Sequence, residues 1–370
     1  MIIGVPKEIK PQEYRIAVTP SGVAELSKNA HIVLIEKDGG TGAGFSDDEY
    51  RKAGAEIVFS AKEIWEKSEI IVKVKEPLPA EYPLMRKGQL LFTYLHLAAS
   101  RSCADALLSS GITSIAYETV SLDGHLPLLT PMSEVAGRLA PQVGAAALQK
   151  AAGGSGILLG GVPGVPPAKV LILGGGVSGT EAARIAHGMG ARVHIVDRNI
   201  SRLKELAEIF DGEIETIYST SHAIETLALE ADLIIGAVLI KGDKAPKLIS
   251  NDLVARMKPG SVLVDIAIDQ GGCFEDSHPT THAEPTFPVH RSLFYCVANM
   301  PGAVPRTSTL ALTNATLPYL LKLVNRGWKA AITENPALGS GFTTHEGALY
   351  SPEVGHALGI PVRELRELAS

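Results

Sequence analysis

The sequence predicts an α/β protein of two Rossmann-like, doubly wound domains separated by a cleft, and three observations carry that expectation. Short apolar runs of strand length alternate with amphipathic helical patterns over most of the chain. Residues 170–199 read as strand, glycine turn, helix and second strand ending in an acid. The length of 370 residues exceeds one comfortable hydrophobic core and favours two domains.

Composition narrows the class. With 45% hydrophobic and 20% charged residues and 37 glycines the chain is an ordinary globular protein with many α/β loops. A net charge of -6 offers no footprint for nucleic acid, so small anions must meet local basic residues. Cys103, Cys273 and Cys296 are too few and too scattered for a disulfide framework or a paired-cysteine metal site, and read as reduced, packed thiols. Residues 1–5 enter an apolar strand without a basic leader, and every long apolar stretch is cut by Gly, Pro or charge. The expectation is a cytoplasmic protein without a membrane span.

The elements follow in order. Residues 1–5, 32–36, 70–74, 89–95 and 113–117 read as strands, and 21–28, 47–53, 62–67 and 99–109 as helices of a first domain, 1–129. Ser133 and Glu134 open a small-residue helix over 133–152, the hinge into a second domain, 130–304. The Gly- and Pro-rich stretch 153–167 lacks the Lys-Ser or Lys-Thr of a phosphate loop and reads as a structural hairpin. Strands are then expected at 193–197, 215–218, 233–239, 261–266 and 293–297. A long helix at 307–325 and a Gly/Pro-broken tail cross back to complete the first domain, as 1–129 plus 305–370.

The 170–199 unit points to a dinucleotide. Gly174 permits the tight turn, Gly176 lets a pyrophosphate approach backbone N–H groups, and Gly179 lets helix and strand pack closely. Asp197 sits about 20 residues beyond, where a carboxylate accepts hydrogen bonds from ribose hydroxyls. A 2′-phosphate would meet that carboxylate at close range, so NAD is favoured over NADP, although Arg198 lies beside it.

Chemistry on a small substrate needs an anchor for a carboxylate and an acid or base at the reacting carbon. Arg15 follows the first strand, Lys75 lies just past 70–74, His96 ends 92–95, and Asp269 ends 264–268. Strand carboxyl ends are where open α/β sheets place ligands. Each residue also has a plainer reading: Arg15 and Lys75 as solvated charges, His96 as a core histidine, Asp269 as a cap.

Over nearly the whole chain these residues resemble the alanine dehydrogenase family, which includes the NAD-binding component of transhydrogenases. The resemblance rests on Gly4-Val5-Pro6-Lys7-Glu8 with Arg15, Val72-Lys73-Val74-Lys75-Glu76-Pro77, Tyr94-Leu95-His96, Pro131-Met132-Ser133-Glu134-Val135-Ala136-Gly137, and Ala298-Asn299-Met300-Pro301-Gly302-Ala303-Val304-Pro305-Arg306. It implies NAD-dependent, reversible oxidative deamination of L-alanine to pyruvate and ammonia in a homohexamer. It implies Arg15 and Lys75 as substrate-binding residues, His96 as acid/base, and Asp269 as the residue that helps activate ammonia and water. Around the dinucleotide it adds Ser133, Val177, Ser178, Ser219, Val238, Leu239, Ile266, Ala267, Ile268, Val297, Ala298, Asn299 and Met300. Some relatives carry a metal on the long helix after Pro318; here Lys322 and Arg326 stand there, and two cations cannot cage a divalent ion, so no metal is expected. The rival readings are the transhydrogenase component, a lysine- or saccharopine-type dehydrogenase, and a non-enzymatic NAD-binding regulator.

Overall fold

The computed structural model describes residues 1–238 and 245–369. The chain divides into two compact units, Met1–Met132 with Val304–Ser370, and Ser133–Ala303.

Unit 1 opens with six strands, β1 (Ile2–Val5), β2 (Ile32–Glu36), β3 (Glu56–Val58), β4 (Ile70–Val72), β5 (Leu90–Thr93) and β6 (Thr113–Ala116). They pair in parallel in the order β6-β5-β4-β1-β2-β3. The order reverses between β1 and β4, the crevice where doubly wound sheets bind ligands. β4 and β5 are buried at every position, as strands covered on both faces must be, which is why they read as unbroken apolar runs. Helices return the chain between strands; Asp47–Ala53 starts with a reciprocal capping box between Ser46 and Glu49.

The helix Thr130–Ala147 leads into unit 2. It begins three residues before the expected Ser133 start, because Pro131 suits a first helical turn, and Lys150–Ala152 forms a separate short 3-10 turn. A tight hairpin follows, with Val162 and Val165 exchanging backbone hydrogen bonds of 3.2 and 2.7 Å. Unit 2 then contributes β7 (Lys169–Leu173), β8 (Arg192–Asp197), β9 (Glu215–Tyr218), β10 (Leu233–Gly236), β11 (Val262–Asp265), β12 (Thr286–Val289) and β13 (Ser292–Tyr295). Their order is β12-β13-β11-β10-β7-β8-β9, parallel except for the edge strand β12. Here the order reverses between β7 and β10.

After unit 2 the helix Pro305–Arg326 begins the return to unit 1, and the tail adds two antiparallel edge strands, β14 (Phe342–His345) and β15 (Ala348–Leu349), beside β6. Several expected strands end early. The ladder stops at Val72, Thr93, Gly236, Asp265 and Tyr295, while Val74, Tyr94, Leu95 and Val297 stay buried beyond it. Among the described residues no helix is long and apolar enough to cross a membrane.

Candidate active site

In unit 1 the expected substrate residues gather at the carboxyl ends of β1, β4 and β5. Lys75 lies three residues past β4, and its backbone is tied on both sides: its N–H donates to Glu8 Oε1 at 3.3 Å and its carbonyl accepts from Thr93 Oγ1 at 2.9 Å. Glu8, three residues past β1, also accepts from Val74 N–H at 2.6 Å, so it bridges the reversal point of the sheet. Behind it Lys73 is fully buried, 3.0 Å from both Glu8 and Glu81. Burial pushes the Glu8 carboxyl up, and the Lys73 charge only partly offsets that.

Arg15 lies in the long loop after β1 and is 2% exposed. Its Nε donates to Glu13 Oε1 at 2.7 Å and its Nη2 to Glu13 Oε2 at 2.6 Å, a two-pronged pair, while Nη1 reaches the Met132 sulfur at 3.0 Å. Burial pushes the Glu13 carboxyl up, but the hydrogen bonds and charge of Arg15 more than offset it and hold Glu13 at about 2. Glu13 also lies in the field of Lys75, and Glu76 in the fields of His96 and Lys75. Three cationic or proton-carrying groups therefore share one neighbourhood. His96 stacks on the Tyr94 ring with centroids 5.6 Å apart, and the Tyr94 hydroxyl donates to the Leu128 carbonyl.

In unit 2 the glycine turn leaves β7 at Gly174, whose φ of 101° is left-handed and open to glycine. A Cβ at Gly179 would overlap the Gly174 carbonyl oxygen, so the helix Val177–Gly188 packs on the turn as closely as backbone allows. At Gly176 an added Cβ would meet no protein atom within 4 Å. That open space beside the first turn of a helix fits a pyrophosphate. Asp197 Oδ2 accepts from Gly175 N–H at 2.7 Å and Oδ1 from Asn199 N–H at 2.8 Å, which places the carboxylate at the turn. Arg202 clasps the same turn, donating from Nε to the Gly175 carbonyl and from Nη2 to Thr180 Oγ1, both at 2.7 Å.

The other expected dinucleotide residues lie on helices and on the segments that follow the strands. Ser178 Oγ donates to the Ser133 carbonyl at 3.0 Å, and Ser219 N–H to the Asp197 carbonyl at 3.0 Å. A Cβ at Gly174 would meet Val238 Cγ2 at 3.0 Å. Leu239 lies outside the described residues. Val297, Ala298, Asn299 and Met300 follow β13, with Asn299 left-handed at φ 73° and its carbonyl 3.2 Å from His282 Nε2. Ile266, Ala267, Ile268 and Asp269 are not the end of a strand but a 3-10 turn, Ile266–Gln270, on which Asp269 is exposed. The cap of that turn is Asp265, fully buried, which accepts from Ala267 N–H, Cys273 N–H and Ser277 Oγ at 3.1, 2.8 and 2.6 Å. On the long helix Lys322 lies over the Tyr319 ring, and Arg326 pairs with Glu334 at 2.8 Å.

Sequence reasoning assigned no role to Glu8, Glu13, Glu118, Thr93, Arg202 or Asp265. The strand-end rule that selected Lys75 and His96 would also have selected Glu118, two residues past β6. Glu13 carries no such signal, because an acid near an arginine in a loop is common.

Comparison with known proteins places this geometry. Residues 4–136 match the family model "Alanine dehydrogenase/PNT, N-terminal domain", and residues 140–352 match "Alanine dehydrogenase/PNT, C-terminal domain". The chain is 59% identical over 362 residues to an alanine dehydrogenase of Mycolicibacterium smegmatis, covering 98% of each. It is 55% identical over 360 residues to an alanine dehydrogenase of Bacillus subtilis, covering 97% of this chain and 95% of that protein. A solved L-alanine dehydrogenase superposes with a TM-score of 0.94 at 55% identity, covering 97% of this chain and 99% of the other. A transhydrogenase from Sinorhizobium meliloti shares the fold, with a TM-score of 0.80 at 24% identity over 95% of this chain and 99% of that one.

Proposed function

This chain belongs to the alanine dehydrogenase/PNT family, and from that membership we propose that it catalyses the NAD-dependent, reversible oxidative deamination of L-alanine to pyruvate and ammonia. The observation that carries the reading is the gathering of Arg15, Lys75 and His96 at one sheet end in a chain whose full-length relatives are alanine dehydrogenases.

Gly174, Gly176, Gly179 and Asp197 would hold the dinucleotide, with Ser133 on the helix Thr130–Ala147 and Ser219, Val238, Ile266, Ala267, Val297 and Asn299 beyond the strand ends around it. The open face of Gly176 and the carboxylate of Asp197 at the turn support that fit, and the carboxylate favours NAD over NADP. When bound, the dinucleotide supplies the two-electron acceptor for deamination.

The remaining work falls to side chains. Arg15, fixed by Glu13, and Lys75, fixed by Glu8 and Thr93, hold the substrate carboxylate and the oxygen at C2. An imidazole nitrogen of His96 takes the proton from the water that adds to C2 of the imino acid and returns a proton to the departing ammonia. Asp269 assists ammonia and water. We further propose a homohexamer in the cytoplasm; three free, buried thiols suit a reducing compartment.

The test is NADH formation from a panel of L-amino acids at alkaline pH, where the neutral amine is present. Activity with alanine and none with lysine is expected. Nucleotide-to-nucleotide exchange without any amino-acid turnover would favour the transhydrogenase reading instead.

A further inference from the structure

We propose that Glu118 is the positioning residue for His96: its carboxylate holds the backbone turn that aims the imidazole. The proposal rests on the acid/base reading of His96 and goes beyond it.

His96 has φ 48° and ψ 35°, a left-handed conformation that crowds the Cβ of an L residue. Nothing in the local sequence supplies a glycine there, so the conformation must be held by its surroundings. The holding group is visible. Glu118 Oε1 accepts from His96 N–H at 2.6 Å, and both carboxylate oxygens accept from Leu95 N–H at 3.2 Å. The other side of the residue is tied as well, since the His96 carbonyl accepts from Ala99 N–H at 3.1 Å. Stacking on Tyr94 then fixes the ring plane.

The topology explains how a residue 22 positions away reaches this turn. β5 and β6 are parallel neighbours with Thr93 opposite Ala116. His96 lies three residues past one strand and Glu118 two residues past the next, on a 3-10 turn that points its first-turn acid back across the sheet end. A carboxylate suits the task because it offers acceptors to two adjacent N–H donors at once, and charge strengthens both bonds. Losing the carboxylate would take this acceptor from two part-buried N–H groups at the turn.

The experiment is a double-mutant cycle between positions 118 and 96, read as pyruvate-dependent NADH oxidation in ammonium, with NADH binding measured in parallel. Glu118→Ala should lower kcat about 10-fold or more and leave NADH affinity within about twofold of the parent. Glu118→Gln, which keeps one acceptor oxygen at the same reach, should recover to within about threefold of the parent, and Glu118→Asp, with the charge kept but the reach shortened, should fall between. In a His96→Ala background, Glu118→Asp and Glu118→Ala should each change kcat by less than about twofold. Full activity of Glu118→Asp and Glu118→Ala, or losses that multiply on His96→Ala, would overturn the proposal. If His96→Ala alone keeps the parent rate, it is the acid/base reading that fails.

Discussion

Glu13 and Arg15 form a two-pronged ion pair, 2.7 and 2.6 Å on the two arms, with both side chains closed off from solvent. Such a pair is costly to half-remove, because a lone buried guanidinium loses its neutralising partner at about 3–5 kcal/mol. It also links stability to pH. The Glu13 carboxyl falls from 4.5 to about 2 on folding, so its contribution is fully present above pH 4.5 and is lost as pH falls from 4.5 through 2. The size is on the order of 3 kcal/mol.

Glu13→Gln is therefore expected to lower stability at pH 7 and to flatten the acid limb between pH 4.5 and 2 relative to the parent. Tryptophan fluorescence during urea unfolding reports the right region, since Trp65 and Trp328 both lie in unit 1. Parallel acid limbs for the two proteins would show that the pair does not carry this linkage.

The glycines of the turn separate folding from binding. Gly179→Ala drives a methyl into the Gly174 carbonyl and should destabilise unit 2 by about 2 kcal/mol or more, with loss of NADH binding. Gly176→Ala places its methyl in open space at φ -67°, so Tm should stay within about 2 °C while NADH binds about 10-fold more weakly or worse. Calorimetry and fluorescence titration read both. Undiminished NADH affinity in Gly176→Ala would place the pyrophosphate elsewhere.

On the proposed reading, the Asp197 carboxylate sets the preference between the two dinucleotides. Asp197→Ala should cost NADH about 10-fold more affinity than NADPH, because only the ribose with a free 2′-hydroxyl gains from the carboxylate. Equal losses for the two, measured by titration, would reduce Asp197 to its visible role of accepting from Gly175 and Asn199.

The parts of the fold legible from the chain were those with long-enough local signals. The alternation of apolar runs and helices gave the doubly wound class, and the glycine spacing with Asp197 located the turn. β3 and β15, of three and two residues, are too short to carry a period, and β14 pairs not only with β15 but also with β6, far away in sequence. An apolar run overstates the length of a strand because Val74, Leu95 and Val297 remain buried after the main ladder ends, and an apolar run reports burial. Those overrun segments lead directly to Lys75, His96 and Asn299. The carboxylates behind the site were not legible for a different reason. Glu8, Glu13 and Glu118 act through distances set by the closed fold, whereas in the sequence they are ordinary acids.

Lys75 gives the most direct test of the account. Its backbone is held by Glu8 and Thr93, so Lys75→Ala removes the ammonium while leaving those two ties in place. The measurement is the rate of NADH oxidation against pyruvate concentration in saturating ammonium, with NADH binding determined on the same sample. A fall in kcat/KM for pyruvate of about 100-fold or more with unchanged NADH affinity is the predicted result. A variant that reduces pyruvate as well as the parent would contradict the assignment of this sheet end as the place where the substrate is held.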